Sequence, residues 1–146
     1  MVPRLSAPAI RKARLEDSAD LSRLIAQLGY DAAPAEVAER LAAMEAEGRA
    51  VFVAEADRRV VGCLSTSVMR VLHRPAPVGR ISMMVVDEAC RSRGIGAQLV
   101  RAAEEALAAQ GCYMVEVTSQ LRRTEAHRFY ERLGYEKTGV RLAREL

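Results

Sequence analysis

Apolar and polar positions alternate with different periods along the chain, and each change of period marks a new element. PAIRKAR, residues 8–14, reads as a short first strand. In DSADLSRLIAQLG, Leu21, Leu24, Ile25 and Leu28 recur at i, i+3, i+4 and i+7, with acidic and serine residues before them and Gly29 after, which predicts a helix. A second helix is predicted over 34–47: Pro34 suits a first turn, Val37, Leu41 and Met44 share a face, and Gly48 closes it.

The period then shortens. AVFVAEADRRVVGCLSTSVMRV gives two β-rich runs around ADRR, a hairpin signal. LHRPAPVG is a loop by its prolines and glycine, and RISMMVV is a third, mostly apolar strand. IGAQLVRAAEEALAAQG predicts a long helix ended by Gly111, and CYMVEVTS another strand. TEAHRFYERLG predicts a short helix with Ala126, Phe129, Tyr130 and Leu133 on one face, and YEKTGVRLAREL a closing strand. The order is strand, two helices, three strands, helix, strand, helix, strand. That is a mixed α/β domain with one central sheet covered by helices. No repeat or linker divides it, so residues 1–146 are expected to form a single domain.

Composition narrows the function classes. The chain has 146 residues, half of them hydrophobic and 28% charged, as a globular domain with one substantial core has. A net charge of +3 spread along the chain, with two Phe and four Tyr, argues against nucleic-acid binding and leaves room for an anionic small ligand. Cys63, Cys90 and Cys112 are odd in number and far apart, which suits reduced thiols and excludes a disulfide framework or a zinc site. His73 and His127 have no partners at metal spacing, so no metal is expected. Neither a signal peptide nor a membrane span is legible, and a cytoplasmic location is the expectation.

One stretch carries chemistry. In VVDEACRSRGIGAQLV, residues 85–100, a buried strand ends and arginines and glycines stand at the mouth of a helix. The first N–H groups of a helix lack internal acceptors and lie at its positive end, so a phosphate group is a natural guest. Many strand–turn–helix units use the same residues only to turn and to stay soluble. The P-loop pattern is absent, and Gly94-Ile95-Gly96 followed by Ala97, Gln98 and Leu99 fails the dinucleotide fingerprint.

The run Val86-Asp87-Glu88-Ala89-Cys90-Arg91-Ser92-Arg93-Gly94-Ile95-Gly96 resembles the acetyl-CoA motif of the GNAT N-acetyltransferase superfamily. The motif's core is Gln or Arg, two residues, Gly, one residue, then Gly or Ala; Arg91, Gly94 and Gly96 fill those places. Further along, AHRFYERLGY resembles the family's second motif, a helix carrying Phe-Tyr and ending in Leu-Gly-aromatic. The element order also matches the GNAT fold: a mixed central β-sheet with splayed middle strands, flanked by about four helices.

The resemblance implies acetyl-CoA as co-substrate, with its pantetheine arm along the backbone of Met84, Val85 and Val86 and its pyrophosphate on the amides of Ser92, Arg93, Gly94, Ile95, Gly96 and Ala97. Arg91 and Arg93 would add charge, although solvated loop arginines would read the same. Tyr130 is implied as the general acid that protonates the departing thiolate. By pattern alone an aromatic on an apolar helix face serves the core, the role that suits Phe129. A strand-end N–H near Val85 or Val86 could steady the carbonyl oxygen. Many relatives carry Glu or His on the fourth strand as base; RISMMVV has neither, Ser82 could only help hold a water, and Glu116 on the fifth strand is a candidate that an outward-facing strand residue would match equally, so the base stays open. Arg123 stands where relatives often carry a cofactor-binding Asn.

The C-terminal half is similar to that of aminoalkylphosphonate N-acetyltransferases in the small-molecule branch. The implied activity is transfer of acetyl from acetyl-CoA to a primary amine of a small molecule, the acceptor lying between Gly29-Tyr30-Asp31 and LHRPAPVG. The alternatives are acetylation of protein or peptide amines, and a non-catalytic CoA-binding sensor. A homodimer through the later strands is permitted.

Overall fold

The computed structural model describes residues 6–118 and 124–146. Strand β1 (Ala9–Lys12) pairs antiparallel with β2 (Val51–Ala56), and β2 with β3 (Arg59–Met69). Asp57 and Arg58, with φ of 51° and 62°, form the two-residue turn of the ADRR hairpin. Two positive φ values in succession match the right-handed twist of the flanking strands. β4 (Val78–Val86) pairs antiparallel with β3, and β5 (Met114–Val117) parallel with β4, giving one five-stranded sheet in sequence order.

Four helices cover the sheet, as the apolar periodicity predicts: α1 (Ser18–Gln27), entered through a 3-10 turn, α2 (Pro34–Ala46), α3 (Ile95–Ala109) and α4 (Thr124–Arg132). Alternation along the strands sends side chains to two cores. Val53, Cys63 and Val85 meet Leu21, Leu24, Val37 and Leu41 of α1 and α2. On the other face Phe52, Ala54, Leu64 and Ile81 meet Ile95, Leu99 and Ala103 of α3 and Tyr130 of α4. Leu24, Leu64 and Leu99 are wholly buried, each stabilising the fold by about 1.5–3 kcal/mol relative to an exposed position.

The sheet opens between β4 and β5. The two pair only from Val78 to Ile81. At the next residue, Ser82, the β3–β4 register shifts opposite Ser65 and Thr66. This bulge bends β4, which among the described residues runs on to Val86 paired with β3 and not with β5. Ser82 Oγ lies 2.9 Å from Ser65 Oγ and donates to the Ser65 carbonyl at 3.2 Å, fixing the bulge. Below it α3 packs flush on the strand: a Cβ added at Gly79 would lie 2.8 Å from Leu107 Cδ1.

The predicted closing strand is not present. Residues 135–146 form no strand, and Val140 and Leu142 are 80% and 91% exposed. Apolar alternation favours a strand only where a neighbour takes up its N–H and C=O groups. Tyr135 anchors the start of the segment on Glu104 and Tyr130; beyond it, the described contacts are Lys137 to Glu131 (3.6 Å) and Arg141 to Thr118 Oγ1 (3.5 Å), and the segment does not lie along β5.

Candidate active site

The opening between β4 and β5 leaves backbone groups unspent. Asp87 N–H donates to the Val61 carbonyl at 2.8 Å. Counting back along the antiparallel ladder, Val85 spends its N–H and C=O on Cys63, while Met84 and Val86 turn theirs toward the gap. Arg91 Nε reaches one of these, the Val86 carbonyl, at 3.3 Å.

Beyond β4 the chain turns twice before α3. The Asp87 side chain accepts from Ala89 N–H and opens a short 3-10 turn, Glu88–Cys90. Ser92 (φ 66°) and Gly94 (φ 78°) both take the left-handed conformation, the second at no steric cost. The first hydrogen bond of α3 runs from Gln98 N–H to the Gly94 carbonyl at 3.2 Å. The N–H groups of Ile95, Gly96 and Ala97 therefore lack helical acceptors, and the first turn holds no acidic side chain to compete for them.

These groups share one cleft of about 910 Å³. Its walls include Met84, Val85 and Val86, the loop residues Arg91, Ser92 and Gly94, the α3 residues Ile95, Gly96 and Ala97, and Tyr130 of α4. Arg93 alone of the expected loop residues turns away, lining a smaller hollow of about 260 Å³ with Ser6, Pro8 and Gln98. An added Cβ at Gly96 would come within 3.1 Å of Phe129 Cζ, so glycine there lets α4 lie close beside α3.

Tyr130 is 8% exposed, and its ring stands edge-on to Phe129 (centroids 5.0 Å apart) and to Tyr135 (5.6 Å). Burial pushes its hydroxyl up to about 12. Among the described residues no group hydrogen-bonds that hydroxyl, whereas Tyr135 donates to Glu104 at 2.9 Å. Phe129, the expected core residue, also lines the cleft.

Glu116 lies elsewhere. It sits opposite Arg80 where β4 and β5 pair, and its Oε1 accepts from Arg80 Nε (2.9 Å) and Nη2 (2.6 Å). It is not among the residues that line the cleft. Arg123 is outside the described residues. Cys63, Cys90 and Cys112 are free thiols, and the described residues hold no cluster of metal-ligating side chains. Sequence reasoning missed Leu28, Cys90 and Glu125 in the cleft wall. It also missed Arg23 and Gln27 of α1, which bond Asp87; their polar i, i+4 spacing beside the apolar stripe was the available signal.

Residues 16–135 match the acetyltransferase (GNAT) family. The chain belongs to that family. GNAT acetyltransferases use acetyl-CoA. An aminoalkylphosphonate N-acetyltransferase of Salmonella typhimurium is 36% identical over 87 residues, which span 60% of this chain and 56% of that protein. The solved glucosamine-6-phosphate N-acetyltransferase of Arabidopsis thaliana superposes with a TM-score of 0.86 at 21% identity, over 96% of this chain and 99% of that one. An aminoglycoside N-acetyltransferase solved in complex with CoA gives 0.85 at 24% identity, over 99% of both chains. At these identities the two structures establish the shared fold. The unspent amides and carbonyls of this GNAT chain suit a ligand with a pairing arm and an anionic group.

Proposed function

We propose that the protein transfers the acetyl group of acetyl-CoA to a primary amine of a small molecule. The observation that carries this is that Tyr130, the open β4 edge and the unpaired amides of α3 face one cleft. In this reading the pantetheine arm pairs with Met84 and Val86, Val85 forms wall, and the amides from Ser92 to Ala97 hold the pyrophosphate with Arg91 nearby. Arg93 contributes its amide only.

The amine nitrogen attacks the thioester carbon, the C–S bond breaks, and the sulfur leaves with the electron pair. An N–H of the open β4 edge, at Val86 or Met84, faces the carbonyl oxygen while it carries charge. Tyr130 gives its proton to the sulfur and regains one from solvent. A hydroxyl at about 12 is a poor donor to a thiol of ordinary acidity. A site that disfavours the phenolate also disfavours the leaving thiolate, so burial shifts donor and acceptor in the same direction. The amine must shed a proton, and Glu116 is the proposed base; it stands outside the cleft, so Oε2, the oxygen Arg80 leaves unbonded, takes that proton through water.

The acceptor would enter beside Leu28, toward Tyr30 and the loop at 70–77. The Salmonella relative's name supplies one class to test, a primary amine bearing a phosphonate. The exposed Val140 and Leu142 offer apolar surface for the homodimer that the sequence permits. Among the described residues no helix is long and apolar enough to cross a membrane, and three free thiols fit the proposed cytoplasmic setting.

The test is to incubate the protein with acetyl-CoA and a panel of aminoalkylphosphonates, amino sugars, aminoglycosides, polyamines and a lysine peptide, and to quantify CoA by chromatography. Amine-dependent release supports the enzyme and identifies the acceptor class. Tight acetyl-CoA binding with no release from any amine supports a CoA-binding sensor, the reading favoured by the engagement of Glu116 with Arg80.

A further inference from the structure

A set of polar side chains outside the proposed reaction ties α1 to the start of the anion-binding loop. Asp87, its side chain 7% exposed, accepts from Arg23 Nη1 at 2.6 Å through Oδ2. Its Oδ1 accepts from Ala89 N–H at 3.1 Å and from Gln27 Nε2 at 3.4 Å. Gln27 Oε1 accepts in turn from Glu88 N–H at 3.0 Å. Arg23 Nη2 donates to the Val60 carbonyl at 2.9 Å, and Asp20 Oδ2 accepts from Val60 N–H at 3.1 Å, so α1 is anchored to β3 by the same turns that grip the loop.

The arrangement has an electrostatic logic. A carboxylate beneath an anion site repels its guest unless a cation sits against it, and Arg23 does. Burial alone would raise Asp87, but the Ala89 N–H, Arg23 and Gln27 outweigh it and hold the carboxyl below its ordinary range. Asp87 therefore stays charged and keeps its bonds, and the net field above it is that of the loop's N–H groups.

We infer that Arg23 and Gln27, acting through Asp87, are positioning residues for the donor: they fix the turn at 87–90 so that the amides of 92–97 stand ready for the pyrophosphate. The inference rests on the proposed function, since it concerns how the same cleft holds acetyl-CoA. Neither residue lines the cleft. Their contribution is to spare the loop the ordering that binding would otherwise require. Leu28, which lines the cleft, directly follows Gln27, so the α1 end that faces the acceptor also holds the donor loop.

Gln27→Ala and Asp87→Asn test this by titration calorimetry against CoA and against pantetheine, which lacks the pyrophosphate. CoA affinity is expected to fall about tenfold, or about 1.4 kcal/mol, with pantetheine affinity within about twofold of the parent, as a device acting only on the pyrophosphate loop requires. Unchanged CoA affinity in a variant that melts like the parent overturns the inference. Equal losses for both ligands overturn it too, because they indicate a general loosening of the cleft. Should Asp87→Asn fail to fold, Gln27→Ala, at the end of α1, decides alone. If the parent binds no CoA, the proposed function itself fails; a parent that binds CoA beside indistinguishable variants sinks the positioning role only.

Discussion

Replacing Tyr130 by Phe removes one hydroxyl and leaves the ring packing with Phe129 and Tyr135 in place. At neutral pH the stability cost should be small, within about 0.5 kcal/mol, because no described group hydrogen-bonds that hydroxyl. Turnover should fall roughly 100- to 10,000-fold, the contribution of a positioned general acid, while acetyl-CoA affinity stays within about twofold. Stability at high pH gives an independent check. The hydroxyl's ordinary value is 10.0 and burial raises it to about 12, so the folded state holds its proton longer than the unfolded state. That stability is complete below pH 10 and is lost as pH rises through 12, amounting to roughly 2–3 kcal/mol. Cys63 and Tyr135, both raised by burial, are common to both proteins, and because the Tyr130 charge also raises Tyr135, the difference between parent and Tyr130→Phe reports the Tyr130 phenol together with its coupling to Tyr135. Urea unfolding at pH 8, 10, 11 and 12 should show the parent losing more stability than the variant. Unchanged turnover refutes the acid role. Parallel alkaline curves refute the burial argument beneath it.

Other perturbations separate the remaining roles. As the proposed base, Glu116→Gln should lower kcat about 100-fold; a change below about threefold returns Glu116 to its ion pair with Arg80, worth at most about 1 kcal/mol in urea unfolding. Gly79→Ala forces a methyl within 2.8 Å of Leu107 Cδ1 and 3.1 Å of its Cβ. Overpacking of this kind should cost about 1–3 kcal/mol in urea unfolding, and a melt equal to the parent's would show that α3 can retreat freely. Leu142→Asp, on the exposed C-terminal segment, should raise the monomer fraction seen by size exclusion with light scattering; an unaltered distribution removes that segment from the proposed dimer contact.

The loop and helix mouth that wall the cleft were legible because backbone geometry restricts which residues can form them. A left-handed turn entering a helix favours glycine at 94, and close approach of α4 requires a residue without a bulky Cβ at 96. Such constraints leave residue types at fixed spacing, which a single sequence displays. Strands β2 to β4 and all four helices were legible for a related reason, since each writes its own period into contiguous residues. The closing strand had the same signature at Val140 and Leu142, yet pairing is a property of two segments and only one of them carries the pattern.

Pairing also explains which contacts the sequence did not announce. Nothing adjacent to Glu116 announces that Arg80, 36 positions earlier, holds it; parallel strands meet through a crossover, and their register follows from how α3 packs. Arg23 and Asp87 are 64 positions apart, and each looks locally like a solvated charge at an element's edge. Their meeting depends on α1 lying across β3 and β4, a consequence of Leu21 and Leu24 entering the core that Val53, Cys63 and Val85 complete. The apolar face that sequence does reveal thus determines a polar contact that it does not. The same seating of α1 brings Gln27 to the turn at 87–90 and Leu28 to the wall of the cleft. A helix face legible from its apolar period therefore decides where two polar side chains meet, and weakening that seat should cost CoA more affinity than pantetheine.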